Sequence, residues 1–298
     1  MCSAERLIAA ALGGALVLAP GSAGAADSEY PLSFVERPLT LPRLTLAPEL
    51  ELDLNRLGVS VLSATGVATA DAVLAGMQVG ATFGVTDNLE VGALVLPLQF
   101  TNPVGYGGLF VGEEKSGNPG VFATYRFLRL RGVDLGARLL VQVLTPQPGL
   151  GAGVLIEPSA PLLLHIGRIA RLDAEVGIPI GVRGGTTTRV GTTTVQTSSS
   201  GFVGLDVPVR LAVDIVEPFH VGASTGVHVD DFGHPGESTS IPLGVFAGYA
   251  IGGRRPLVDV DAFFSFVDFF TPGGGPFGDR LNGGLFITGV SAKGYVYF

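Results

Sequence analysis

From Phe202 to Ile215 the chain alternates with period two. Val203, Leu205, Val207, Val209, Leu211, Val213 and Ile215 fall on one side; Gly204, Asp206, Pro208, Arg210, Ala212 and Asp214 fall on the other. Leu172–Arg183 repeats the pattern, with Leu172, Ala174, Val176, Ile178, Ile180 and Val182 set against Asp173, Glu175, Gly177, Pro179, Gly181 and Arg183. Successive side chains of a strand point to opposite faces. Each block is therefore a strand with one greasy face and one small or polar face. A water-soluble sandwich also alternates, with its apolar face inward, so alternation alone does not choose between sandwich and membrane barrel.

Three further features choose. The blocks run about twelve residues, where an ordinary strand has about five or six and a tilted membrane-crossing strand needs about 9–11. The connections alternate between short and long, as barrels with periplasmic turns and longer outer loops require. Short ones fall at Thr86–Asn88, Leu128–Arg131, Gly167–Ala170, Val216–Pro218 and Gly252–Arg255; long ones run over 57–71, 101–118, 146–151, 184–200, 230–238 and 270–283. The chain also stops on Gly294-Tyr295-Val296-Tyr297-Phe298, a last strand with a terminal Phe of the kind outer-membrane barrels present to the barrel assembly machinery. Composition agrees. Of 298 residues 47% are hydrophobic and 15% charged, with 45 Gly and 20 Pro, whereas soluble domains carry about 25% charged residues. Beyond the N-terminus no apolar run reaches the ~18 residues of a spanning helix. In hydrocarbon the closed barrel is the alternative to helices, because all backbone groups must pair internally.

The expectation is an all-β, transmembrane, antiparallel up-and-down barrel of about 12 strands, at roughly 43–56, 72–85, 89–100, 120–128, 132–145, 152–166, 171–183, 202–215, 219–229, 239–251, 257–269 and 284–298. An even count puts both chain ends on the periplasmic side. The barrel is read as monomeric and as spanning 43–298. Ahead of it, Arg6 and the apolar stretch Leu7–Ala19 lead to Ala23-Gly24-Ala25, a small-residue cleavage site. Residues 1–25 therefore read as a signal peptide that takes Cys2, the single cysteine, with it. Residues 26–42, with Pro31, Pro38 and Pro42, read as an extended periplasmic arm too short to fold into a plug.

Phe83-Gly84-Val85-Thr86-Asp87-Asn88-Leu89-Glu90-Val91-Gly92 resembles the strand–turn–strand signature of a broad group of uncharacterised proteobacterial outer-membrane barrels. These are transporter-like proteins grouped with the phenol meta-pathway-associated outer-membrane proteins. Glu36-Arg37-Pro38-Leu39-Thr40-Leu41-Pro42 resembles the lead-in to the first strand of their myxobacterial members. The resemblance covers the organisation of the mature chain. It implies the fold, a location in the outer membrane of a Gram-negative cell, and passive uptake, and it supplies no catalytic residues.

With apolar positions facing lipid, the opposite face lines the lumen. That face holds Glu49, Glu51, Asp53, Glu90, Asp134, Glu157, Asp173, Glu175, Asp206, Asp214, Asp259 and Asp261, and the smaller basic set Arg126, Arg138, Arg183, Arg210 and Lys293. Basic groups in hydrocarbon cost roughly 2–4 kcal/mol each at the midplane, acids somewhat less, which forces these charges inside. Two readings follow. One is a hydrated passage whose excess acid favours cations or neutral polar solutes. The other is a packed polar interior in which Arg and acid pair, with Asp214 opposite His220 and Arg126 opposite Asp134. Inner-face Gly76, Gly80, Gly84, Gly136, Gly177, Gly222 and Gly244 favour open space, unless they mark bends or close packing.

The function expected is a passive or substrate-selective channel for small solutes. A structural or adhesion barrel is the alternative, and a lipid-modifying enzyme a third reading. For the third the best cluster is His228, Asp230 and His234, which lacks a metal-ligand spacing. No catalytic, cofactor or metal site is assigned. The net charge of −8 argues against nucleic acid; the partners expected are outer-membrane lipids, the assembly machinery and a small solute. The Thr- and Ser-rich 184–200 reads as a surface hairpin, and Gly273-Gly274-Gly275 lacks the Lys-Ser/Thr of a phosphate cradle. With no Trp, the interfacial girdle falls to Tyr125, Phe127, Phe219, Tyr249 and Phe298, with Phe83 as a further candidate.

Overall fold

A computed structural model describes residues 30–63, 66–101, 119–144, 151–185, 187–190, 193–196, 198–229, 231–233, 239–270 and 286–298. The 1–25 segment read as a signal lies outside the described residues. A short 3-10 turn, Phe34–Glu36, precedes the strands. These are β1 Thr45–Ser63, β2 Gly66–Thr86, β3 Leu89–Thr101, β4 Gly120–Leu130, β5 Val133–Leu144, β6 Gly153–Ile166, β7 Ala170–Gly177 and β8 Ile180–Arg183. They continue as β9 Thr187–Val190, β10 Thr193–Gln196, β11 Ser200–Val203, β12 Leu205–Val216, β13 Phe219–Val229, β14 Thr239–Gly252, β15 Pro256–Phe270, β16 Phe286–Gly294 and β17 Val296–Tyr297.

The strands close into an antiparallel barrel of 12 staves. Consecutive strands pair, β7 and β8 share one stave, β11 and β12 the next, and β16 with β17 the last. The seam joins chain start to chain end: Glu49 faces Lys293, Arg56 faces Phe286, and Thr45 faces Tyr297. Tight turns at 87–88, 131–132, 167–169, 217–218 and 253–255 gather at the end where the chain enters and leaves. Alternation decides orientation. Leu50, Leu52 and Leu54 of β1, Val154 and Ile156 of β6, and Leu211 and Ile215 of β12 are exposed on the outside, while Gln142, Glu157, Arg183 and Asp259 are buried within. Tyr125, Phe127, Tyr249 and Phe298 are exposed at the short-turn end, where a girdle belongs.

Four departures from the sequence expectation have physical reasons. The region 57–71 is not a loop: β1 and β2 stay paired from Leu46↔Phe83 out to Ser63↔Gly66. Among the described residues, pairing with the flanking strands runs only as far as Arg56↔Phe286 and Leu74↔Thr101. Beyond those pairs the hairpin bonds only to itself among the described residues. A strand that has left the lipid needs no continuous apolar face, so its small residues read as loop. Next, the block 171–183 breaks at Ile178-Pro179, because Pro179 has no N–H for the ladder; Gly204 N donates instead to the Pro179 carbonyl.

The inner glycines whose surroundings are described mark close packing rather than space; Gly76 lies outside them. A Cβ on Gly136 would meet the Leu39 side chain at 2.9 Å, one on Gly177 the Glu157 carboxylate at 2.5 Å, and one on Gly222 the Phe246 ring at 2.1 Å. The fourth departure is the largest. Residues 30–43 do not trail as an arm; they fold into the short-turn mouth and form a plug. Both buried apolar clusters of the described residues join plug to wall. Tyr30 and Leu41 pack with Ala47 and Tyr295, and Val35 packs with Ala212 and Phe246.

Candidate lumen site

The plug is held by side chains reaching inward from the wall. Asp259 of β15 receives both arms of Arg37, with Nη2 to Oδ1 at 3.0 Å, and the Tyr295 hydroxyl donates to the same carboxylate at 2.6 Å. Glu90 accepts the Leu41 N–H at 3.0 Å, Asp134 the Leu39 N–H at 3.1 Å and Asp214 the Ser33 hydroxyl at 2.6 Å. The His165 ring meets the Val35 carbonyl, and Arg171 donates to the carbonyls of Phe34 and Arg37. The partners come from β3, β5, β6, β7, β12 and β15, so the plug spans the mouth. Burial alone would lower the Arg37 pKa; Tyr30, Asp259 and Tyr295 more than offset this, the net shift is upward, and the guanidinium stays charged.

Above the plug the lumen holds a cavity of about 580 Å³. Of the residues expected to line the lumen, Glu49, Glu51, Glu90, Arg138, Arg210, Asp259, Asp261 and Lys293 surround this cavity. The others sit elsewhere. Arg126 and Asp134 form a buried pair at 3.2 Å, and Arg126 also donates to the Asp87 carbonyl at 2.7 Å and to Asn88. Asp206 lies 3.6 Å from His228, Glu157 and Arg183 are buried near the β6–β8 pairing, and Asp53 follows Glu51 up β1. Asp214 faces His220 in register, but the two side chains part: Asp214 takes Ser33, while His220 pairs with Asp261 at 2.8 Å and stacks on Phe34 at 4.2 Å.

The cavity-facing acids are engaged. Glu49 lies 3.4 Å from Lys293, and Asp259, Asp261 and Glu90 have the partners given above. Glu51 also takes part in an interaction. Arg171 binds Asp173 through Nε at 2.8 and 2.9 Å, and Arg138 reaches Glu175 only at 3.7 Å. Arg210 differs. Its guanidinium carbon stands 3.7 Å from the Phe246 ring centre and 5.4 Å from that of Phe34, and its buried Nε has no hydrogen-bond partner.

Arg37, Arg171, Tyr295 and Phe34 were not singled out from sequence. Arg171 shares the parity of Asp173 and Glu175, and Tyr295 that of Lys293, so both were within reach. Arg37 was not, because its segment has no period. Of the hydrolytic candidates only His228 is described; Asp230 and His234 lie outside the described residues. Among the described residues no group of three His, Cys, Asp or Glu is arranged to hold a metal.

Fold and lumen together define an outer-membrane-type barrel with a plugged mouth. No protein-family model matches the chain and no curated protein is similar to it in sequence. Its fold is similar to that of an outer membrane channel from Pseudomonas putida F1, with TM-score 0.51 and 12% identity over 92% of this chain and 100% of that one. It is also similar to the NanC porin, with TM-score 0.50 and 9% identity over 82% of this chain and 99% of that one.

Proposed function

We propose that this chain is an outer-membrane channel for small solutes whose short-turn, periplasmic mouth is closed by its own residues 30–43. The observation that carries this reading is the construction of the mouth. The plug that floors the cavity is held mainly by bonds that involve side chains, and among the described residues its backbone-to-backbone bonds to the wall lie where it joins β1, from Leu44 N to the Gly84 carbonyl and from Thr45 N to the Pro42 carbonyl. Such an element detaches without breaking a strand ladder. In this reading residues 1–25 direct export and are cut off after Ala25, lipid surrounds the Leu50–Leu54 and Val154–Ile156 surfaces, and the strand ending at Phe298 is handed to the assembly machinery. The fold relatives named above are themselves described as a channel and a porin.

The filled mouth also fits a second reading, a closed barrel serving envelope structure or adhesion. Planar-bilayer recordings separate them, comparing the mature chain with a variant lacking 30–41. A channel with a detachable plug gives rare openings in the first and steady conductance in the second. Silence from both chains, with folding confirmed by heat-modifiable gel mobility, leaves only the structural reading.

A further inference from the structure

We infer that the cavity above the plug is a binding site for small organic monocarboxylates, with Arg210 as the group that takes the carboxylate. The inference rests on the channel reading and adds the class of solute.

The starting point is a mismatch between Arg210 and its neighbours. On β12 it stands in register with Asp173 of β7 and Ser224 of β13. Asp173, the natural partner, is occupied: both its oxygens accept from Arg171. Asp261, which also faces the cavity, is held by His220. Arg210 keeps two aromatic contacts and no hydrogen bond at its buried Nε, with Asp261 and Asp173 acting on it only as nearby charges.

That arrangement selects a ligand shape. With the Phe246 ring stacked on the guanidinium and Phe34 beside it, the free hydrogen-bonding capacity lies in the plane of the fork. A planar carboxylate meets such a fork with two parallel N–H···O bonds, which a compact spherical ion does not. The stacked rings also hold the fork in place, so little side-chain freedom is lost on binding. Arg138, stacked 4.5 Å from Phe122 and only 3.7 Å from Glu175, adds a second loosely engaged cation on the same cavity. A cation would find the opposite: the acids around the cavity already have partners. Phe122, Phe246 and Phe263 line the space beside the arginines and suit an apolar body. A cavity of about 580 Å³ falls in the range of about 300–1,000 Å³ usual for small-molecule sites.

The test is equilibrium dialysis of the mature chain in detergent micelles against labelled benzoate, with benzamide as the neutral isostere and benzylamine as the cation. Benzoate is expected to be retained, with both controls weaker by about tenfold or more, the factor that one charge-assisted hydrogen-bond pair supplies. Arg210→Gln should weaken benzoate by a similar factor and leave the controls unchanged. Equal retention of benzamide, undiminished benzoate retention in Arg210→Gln, or displacement by chloride as effective as by unlabelled benzoate would each overturn the inference. Should Arg210→Gln lose its heat-modifiable gel shift, the three-ligand comparison on the unaltered chain decides alone. Bilayer conductance is read separately. Conductance without benzoate retention removes the inference and leaves the channel reading, while retention in a chain that never conducts, even without 30–41, removes the channel.

Discussion

Arg37 and Gly84 show how single residues set the plug. Arg37 is 1% exposed and its ion pair with Asp259 lies among Tyr30, Phe34 and Tyr295. Removing one member of such a pair strands the other charge, at a cost of about 3–5 kcal/mol. In Arg37→Ala that cost falls on docking, because an undocked plug lets Asp259 regain water. Undocked plug should therefore increase by roughly a hundredfold or more. Cys2 is the single cysteine, and the proposed cleavage after Ala25 would remove it, so the chain from Ala26 offers a clean background for a Val35→Cys probe. Labelling by a bulky maleimide should be slow in that chain and faster by the stated factor when Arg37→Ala is added. Equal rates would mean that the pair does not hold the plug. Gly84 acts by absence. A Cβ there would lie 2.0 Å from the Pro42 carbonyl oxygen, which is backbone and cannot step aside. Gly84→Val is expected to displace the plug exit, giving steady bilayer conductance with the heat-modifiable barrel retained; a silent, folded variant would count against the docking geometry. Neither role was legible in the sequence. Glu36-Arg37-Pro38 carries no period, and a glycine required by a chain segment forty residues away looks like any strand glycine.

At the scale of elements the strands were legible wherever lipid imposed a rule. Blocks such as 219–229 and 239–251 match β13 and β14 to within a residue, because an outward position in hydrocarbon admits few residue types. Legibility stopped where that rule stops. Past Arg56 and Leu74 the β1–β2 hairpin is no longer flanked among the described residues, and its small and polar residues, Gly58, Ser60, Thr69 and Asp71, carry no membrane pattern. An element that contributes no ladder to its neighbours contributes little to closure of the barrel. Excising 59–70 and joining Gly58 to Asp71, which face each other in register, is therefore expected to leave folding intact, with the unfolding midpoint in urea unchanged within error. Loss of the heat-modifiable form would show that the projecting hairpin takes part in assembly. The plug escaped notice for the converse reason: its order comes from bonds to six strands of the wall, and none of them is local in sequence.

For the molecule as a whole, the question is what a net charge of −8 says about the lumen. Counting inward acids against inward bases gives an excess of carboxylate, which predicts preference for cations. The structure shows why counting misleads. Around the cavity Glu49 is offset by Lys293 and Asp259 by Arg37, and Asp261 is hydrogen-bonded to His220, while the loosely held groups are Arg138 and Arg210. Arg138 stands on β5, opposite β15 in the ring of staves, and Arg210 on β12, five staves from β1 and three from β15. A permeating ion responds to charges that lack a partner close by, since paired charges cancel within a few ångströms and salt screens the remainder beyond about 10 Å at 0.1 M. The plug-less channel, placed in a KCl gradient at low salt, is therefore expected to show a reversal potential on the chloride side of zero or at it. The double substitution Arg138→Gln, Arg210→Gln should move that potential toward potassium, and raising the salt should shrink the difference between the two channels. A strongly potassium-selective potential in the unsubstituted lumen would mean that the bulk carboxylate excess, rather than the loosely held arginines, sets the field along the path.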